Sequence, residues 1–243
     1  MKISVRSSTC LWLILLNLLG PSPCLGQNSS VTLCSERTSH QRIDTLIEKT
    51  KYRQALQAID SLLKEDSSCA QTCFEKGTCL VNLEEPDKAI EAFKKGLAHQ
   101  PLSCNWGIKA YAQAYIDKQD FPRAITIVSR FLPIAQDPAE LYNFRGRLWA
   151  NQNAYTRAWA DFNKGIELEK KPQMRDYLNR GKMSMKLKQY KSAIADFQKA
   201  SQIHPGNSYI VVCLAEAWRA AGNEAEAKKA YERARSLSPV DLE

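Results

Sequence analysis

Small apolar residues recur along this chain at a nearly constant interval, inside stretches whose apolar and polar positions have helical spacing. An alanine returns every 34 or 35 residues, and a large apolar residue stands four positions after it. Residues four apart lie on one face of an α-helix, so each pair marks the packed face of one predicted helix. The alanines are Ala55, Ala89, Ala124, Ala158, Ala193 and Ala227, and the large residues are Ile59, Phe93, Val128, Phe162, Phe197 and Tyr231.

Another predicted helix precedes each of these in the repeating unit. In five units a small residue stands twelve positions before the alanine, where it would let two helix backbones cross closely. A proline closes most units, because proline cannot continue a helix. The pattern therefore predicts two antiparallel helices per unit. The small residues are Gly77, Ala112, Gly146, Gly181 and Ala215, and the closing prolines are Pro101, Pro138, Pro172, Pro205 and Pro239.

This pattern resembles the tetratricopeptide repeat (TPR) family. The resemblance implies an all-α fold, a right-handed α-solenoid of six helix-turn-helix repeats over residues 36–241, followed by the C-terminal end at 242–243. The first unit lacks both the glycine and the proline, and the second helix of the third unit carries Pro133. The six units are 36–69, 70–103, 105–138, 139–173, 174–207 and 208–241.

The N-terminal 26 residues are typical of a secretory signal peptide. Lys2 and Arg6 supply a positive start, residues 11–19 form an apolar run, and small residues precede a predicted cut before Gln27. Residues 27–35 then form a flexible leader, and we expect an exported protein, either periplasmic or secreted.

Two other readings of this N-terminal segment keep the protein on a membrane. The segment could stay uncleaved as an anchor, although a span needs about 20 apolar residues and Asn17 interrupts a run half that long. Alternatively, Cys24 could carry a lipid, although Pro23 directly before it fits the bacterial lipidation pattern poorly. After cleavage, no membrane span is expected.

Five of the eight cysteines fall within residues 34–104. Export permits disulfides, so we expect at least one among these five, with the connectivity left open. The alternative is that they are small buried apolar residues. No metal or cofactor site is predicted, because no two cysteines are separated by two residues and the three histidines are scattered. The five cysteines are Cys34, Cys69, Cys73, Cys79 and Cys104.

The family resemblance implies that the first helices line a concave groove. The residues at those positions in the later units are basic or carry amides, and the chain as a whole has a net charge of +8. Such a lining predicts binding of a peptide or loop with acidic groups, attracted by charge. The alternative is a basic face that is merely solvated. The predicted groove residues are Lys109, Asn143, Arg147, Asn151, Arg175, Lys182, Lys186 and Arg219.

Two Arg and Asp pairs recur at the same positions of successive units. Arg145 precedes Asp161 by 16 residues, and Arg180 precedes Asp196 by 16 residues. Because the pair repeats as a unit, we expect an ion pair between the two helices of each unit, with a structural role.

No catalytic constellation stands out in the sequence: phosphate-binding glycine loops and the common hydrolase motifs are missing. The groove lining is too irregular for a repeat code that reads RNA, so no nucleic acid is expected. We therefore expect a non-enzymatic adaptor for a protein partner. The alternative is an assembly factor of a cell-envelope complex that acts through its ends and convex surface. The sequence leaves the partner and the oligomeric state open.

Overall fold

The computed structural model describes residues 37–237, and this range folds entirely into helices and short turns without any strand. Its twelve α-helices form six antiparallel pairs in a right-handed α-solenoid, as predicted. The signal peptide, the leader and residues 242–243 lie outside the described residues. The first helices of the pairs are α1 Arg37–Glu48, α3 Ala70–Asn82, α5 Asn105–Asp117, α7 Pro138–Asn151, α9 Met174–Lys186 and α11 Ser208–Ala220. The second helices are α2 Tyr52–Glu65, α4 Pro86–Leu97, α6 Phe121–Phe131, α8 Tyr155–Leu168, α10 Tyr190–Ile203 and α12 Glu224–Leu237.

The two helices of a unit cross where the sequence places its glycine. A Cβ atom added to Gly146 would lie 2.8 Å from Cε1 of Phe162, and one added to Gly181 would lie 2.7 Å from Cε1 of Phe197. Each phenylalanine ring therefore fills the space that a side chain at the glycine would need. The contact with the ring explains why glycine stands at the crossing.

The periodic alanines lie in the core. All six are fully or almost fully buried, with exposed fractions of 0–1%. The largest apolar cluster runs without a break from α3 to α7, and smaller clusters continue it towards both ends. Because each unit packs on the next, the array presents its first helices side by side as one surface.

The second helix of the third unit departs from the regular pattern at its end. The α-helix stops at Phe131, and Leu132–Ile134 form one 3₁₀ turn. Proline lacks the N–H group that continues an α-helix, so Pro133 accounts for the change. Pro133 thus follows α6 instead of lying within it.

The two predicted ion pairs are present and joined by two parallel hydrogen bonds each. Nε and Nη2 of Arg145 donate to the carboxylate of Asp161 at 2.8 and 2.7 Å. The same atoms of Arg180 donate to Asp196 at 2.9 and 2.6 Å. Both aspartates are buried, with exposed fractions of 6% and 4%. Hydrogen bonding to these carboxylates raises the pKa of both arginines, although burial opposes the shift.

Each of these arginines also reaches the preceding unit. Nη1 of Arg145 donates to Oγ of Ser129 on α6 at 2.9 Å, and Nη1 of Arg180 donates to Oδ1 of Asn163 on α8 at 2.7 Å. One guanidinium therefore ties together three helices from two units, a link that the sequence pattern alone did not indicate.

Candidate functional site

The predicted groove residues lie on the surface formed by α5, α7, α9 and α11, which we call the first-helix surface. Five of the eight side chains are exposed, two are half-buried and one is buried. The surface is therefore open to solvent over the last three units. The exposed residues are Arg147, Asn151, Arg175, Lys186 and Arg219, the half-buried ones are Lys109 and Lys182, and the buried one is Asn143.

Lys109 is already neutralised by a neighbouring carboxylate. Its Nζ donates to Oε1 of Glu140 on α7, whose Oε2 accepts from Nδ2 of Asn105 at 2.8 Å. Burial alone would raise the pKa of Glu140. The hydrogen bonds from Lys109 and Asn105 lower it by a larger amount, so the net shift of this pKa is downward. At neutral pH, Lys109 therefore belongs to a cross-link between α5 and α7 and contributes little free charge.

Asn143 takes part in helix packing. Its Nδ2 donates to Oδ1 of Asp176 at 3.2 Å, and Oδ2 of Asp176 accepts from the backbone N–H of Gln173 at the start of α9. A Cβ atom at Gly165 would lie 2.8 Å from Oδ1 of Asn143. The amide that the sequence placed in the groove thus joins α7, α8 and α9.

Two neighbouring guanidinium groups carry unneutralised charge at the centre of the surface. Arg147 is exposed as a residue, but its guanidinium lies 5.4 Å from the ring centroid of Phe144 and is partly covered. This partial burial lowers the pKa of Arg147, and the charge of Arg175 lowers it further, while Glu140 acts in the opposite direction. Within residues 37–237, Arg175 makes no ion pair. Because like charges repel, an anion placed between these arginines would relieve the repulsion.

The surface continues into the last unit with an exposed aromatic ring. Nζ of Lys182 lies 4.9 Å from the ring centroid of Tyr209, whose exposed fraction of 53% is the largest among the exposed large apolar residues described. Tyr209 stands one period after Arg175, at the same position of the next first helix. This repeat position predicts a groove-lining residue, although Tyr209 is not among the eight predicted groove residues.

The two remaining predicted cations, Lys186 and Arg219, lie at the edge of the first-helix surface. Lys186, the last residue of α9, is exposed and makes no ion pair with any described residue. The guanidinium of Arg219 lies 5.8 Å from the ring centroid of Tyr231 on α12. Arg219 therefore packs towards the second helix of its own unit, whereas Arg147, Arg175, Lys182 and Lys186 form the continuous basic part.

The cysteines predicted to form disulfides fall into two groups. Cys73 and Cys79 are free, buried thiols, so the prediction is corrected for these two. Burial raises the pKa of both, to about 12 for Cys79. Cys69 and Cys104 are buried at the N-caps of α3 and α5, and neither is a free thiol. Cys34 lies outside the described residues.

Residues 37–237 hold neither a metal-binding cluster of side chains nor a helix able to span a membrane. These residues contain no group of three or more histidine, cysteine, aspartate or glutamate side chains arranged to hold a metal ion. No helix in the same range is both long and apolar enough to cross a bilayer.

Sequence comparison identifies the repeats in two parts of the chain. Two family models, both described as tetratricopeptide repeat, match residues 40–103 and 184–242. The DnaJ homolog subfamily C member 7 homolog of Dictyostelium discoideum is 24% identical over 221 residues, which cover 82% of this chain and 40% of that protein. The chain thus spans about two fifths of the length of this relative.

Solved structures of repeat proteins share the fold. The C-terminal part of a TPR repeat-containing protein from Cytophaga hutchinsonii has a TM-score of 0.73 at 17% identity, covering 82% of this chain and 79% of that one. YrrB, described as a TPR protein with an unusual peptide-binding site, has a TM-score of 0.65 at 14% identity, with 76% and 94% covered. PilW, a type IV pilus biogenesis factor, has a TM-score of 0.65 at 18% identity, with 86% and 97% covered.

Proposed function

Because the chain carries tetratricopeptide repeats in an α-solenoid, we propose that it is a non-enzymatic adaptor that binds a peptide or loop of a partner protein along its first-helix surface. The observation that carries this proposal is the cluster of Arg147, Arg175, Lys182 and Lys186, none of which makes an ion pair with a described residue. A segment with aspartate or glutamate side chains would neutralise them, and Tyr209 offers an aromatic contact beside them.

The partner class is therefore a protein segment with acidic side chains. An extended segment fits a preformed surface because the receptor loses little conformational entropy on binding. Peptide binding is also what the description of YrrB states for that protein, at a similar fold. We propose no turnover of the partner; cleavage or modification of a captured segment, seen by mass spectrometry, would contradict the non-enzymatic assignment.

Reversal of three charges on the first-helix surface tests the proposal. We expect the Arg147→Glu/Lys182→Glu/Lys186→Glu variant to bind a partner segment at least about tenfold more weakly, because three attractions become repulsions. Affinity capture from the envelope or secreted fraction identifies the partner, and fluorescence anisotropy with a synthetic peptide of its acidic segment measures the affinity. Wild-type affinity should also fall as salt rises, because salt screens exposed charges.

A matched control variant tests whether the loss of binding depends on where the charges are reversed or only on the change in net charge. Lys95→Glu/Lys191→Glu/Lys199→Glu makes the same charge change on exposed lysines of α4 and α10. The control variant should bind as the wild type does, and both variants should keep the helical circular-dichroism spectrum. Equal loss in the two variants, or no loss in either, would exclude the first-helix surface as the binding site.

An alternative function, assembly of a cell-envelope complex, is favoured by a different feature. Ile134, Leu168 and Ile203 are exposed by 48%, 43% and 42%. Leu168 and Ile203 end α8 and α10, and Ile134 ends the 3₁₀ turn that follows α6, so the three stand near the ends of successive units. A row of exposed aliphatic side chains is typical of a protein contact. If Ile134→Asp/Leu168→Asp/Ile203→Asp abolishes capture while the first-helix reversal does not, this alternative replaces the adaptor.

We also propose export and oxidation of the chain. Cys69 and Cys104 stand 35 residues apart at equivalent N-caps, so a bond between them would join the start of α3 covalently to the start of α5. Peptide mapping without reductant should find the Cys69 peptide linked to the Cys104 peptide, and a mature N-terminus at Gln27. An intact residue 1, or free thiols at both cysteines in protein taken from its native compartment, would contradict this proposal.

A further inference from the structure

A buried polar cluster joins the first unit to the second. Nδ1 of His40 on α1 lies 3.1 and 3.2 Å from the two carboxylate oxygens of Glu75 on α3. Glu75 is exposed by only 1%, and its Oε1 also accepts from Nε2 of Gln71 at 2.9 Å. His40 is the only cationic partner of this carboxylate among the described residues. The interface between these units therefore depends on whether that imidazole carries a proton.

A second carboxylate lies in the same interface. Asp44 follows His40 by one helical turn, and its pKa is raised to about 6 by burial first and then by the charge of Glu75. Glu48 on the same helix acts in the same direction, and His40 opposes it. No charged group of α2 is among those acting on His40 or Asp44. Two acidic groups thus compete for one imidazolium.

Both titrations change the stability of the interface in the same direction. The hydrogen bond to Glu75 raises the pKa of His40 above 6.5, although burial opposes the shift. A raised pKa in the folded state means that the docked unit binds the proton more tightly than the undocked unit does. Stability is therefore fully present below the ordinary pKa and is lost as pH rises through the raised one. Asp44 follows the same rule between 3.8 and about 6.

We propose that docking of the first helix pair, α1 and α2, onto α3 is controlled by a proton held between His40 and Glu75, so that the pair is closed in mildly acidic solution and opens locally as pH rises above neutrality. Without the proton, Glu75 is a buried charge without a cationic partner, which is costly. Within the described residues, α1 packs on one side only, against α2 and α3, so the unit can open without unfolding the rest of the array.

Undocking of α1 and α2 would expose the thiol of Cys79, so the reactivity of this thiol measures the undocking. Cys79 on α3 is fully buried in a cluster with Ile43 of α1 and with Ala55 and Ile59 of α2. When the first pair leaves, Cys79 loses this cover. Cys213 is a free, buried thiol in the last unit and packs against residues of α10 and α11, so it serves as an internal reference.

Hydrogen exchange and thiol labelling on the full chain test the proposal. From pH 5.5 to pH 8.5, we expect amide protection in α1 and α2, corrected for intrinsic exchange, to fall severalfold, because docking weakens as the proton with the raised pKa is lost. Protection in α11 and α12 should stay constant. Labelling of Cys79 relative to Cys213, each normalised to the denatured protein at the same pH, should rise over the same range.

Three variants decide whether His40 and Glu75 are responsible. His40→Gln and Glu75→Gln should each remove most of the pH dependence, because the first loses the titrating group and the second loses the charge that holds the proton. His99→Gln is the matched control, since His99 is an exposed histidine outside the interface, and it should behave as the wild type. Unchanged pH dependence in both test variants, or constant protection in the wild type, would overturn the proposal.

Discussion

Replacement of Arg180 by methionine should destabilise the protein by about 3–5 kcal/mol, since breaking a buried ion pair leaves an uncompensated charge. Asp196 is exposed by 4% and would lose both of its hydrogen bonds to the guanidinium. Asn163 of the preceding unit would lose its bond to the same group. Urea denaturation followed by circular dichroism measures the change, and the loss should appear in the unfolding of the fourth and fifth units.

A double-mutant cycle separates the coupling from the loss of packing. Arg180→Met/Asp196→Leu removes both charges, so the double variant should be less destabilised than the sum of the two single variants. Lys229→Met provides the control, because Lys229 and Glu226 form an exposed ion pair and such pairs contribute little to stability. Zero coupling between Arg180 and Asp196 would show that the recurring pair does not stabilise the packing.

The repeat register was predictable because packing imposes it on the sequence. Five of the six units have a small residue at the helix crossing, and all six have a large one a turn after the alanine, with a period of 34 or 35 residues. The pairing of Arg145 with Asp161 was predictable for the same reason, since a pair that serves within one unit can repeat. Pro133 was assigned to the second helix of its unit, yet the helix ends before it. Boundaries depend on local backbone geometry that the period does not specify.

The charge state of the first-helix surface was not predictable from the register. Lys109 and Glu140 stand 31 residues apart on successive first helices, so their contact depends on how two units are placed relative to each other. Asn143 occupies a register position shared with Phe74, and both side chains pack against a glycine of the following second helix. Being at the same position in the unit therefore does not make a residue available to a ligand.

Contacts between units nevertheless leave a sequence signal. His40 and Glu75 stand 35 residues apart, as do Asn105 and Glu140, because positions one period apart face each other across neighbouring first helices. A search for complementary polar residues at this separation would have identified both contacts. The same search cannot tell a structural link from a ligand site, since that depends on burial.

The contact between Gly146 and Phe162 predicts that Gly146→Ala destabilises the protein when the Phe162 ring is present and stabilises it when the ring is removed. Gly146→Ala in the wild type should destabilise by about 1–2 kcal/mol, because the new methyl group meets a ring that is 99% buried and overpacking outweighs the gain in helix propensity. Phe162→Ala alone should cost about 3–5 kcal/mol, since it opens a cavity at the crossing.

In the Phe162→Ala background, Gly146→Ala should instead stabilise the protein by up to about 1 kcal/mol, because the ring is gone and alanine is the better helix former. Gly206→Ala is the control, since a Cβ atom there has nothing within 4 Å. Urea denaturation of the four variants measures each step. Were Gly146→Ala to destabilise equally in both backgrounds, the ring could not be the reason for glycine, and backbone crowding between α7 and α8 would have to replace it. A reversal of sign would establish that the glycine of the repeating unit is required by the aromatic ring sixteen residues later.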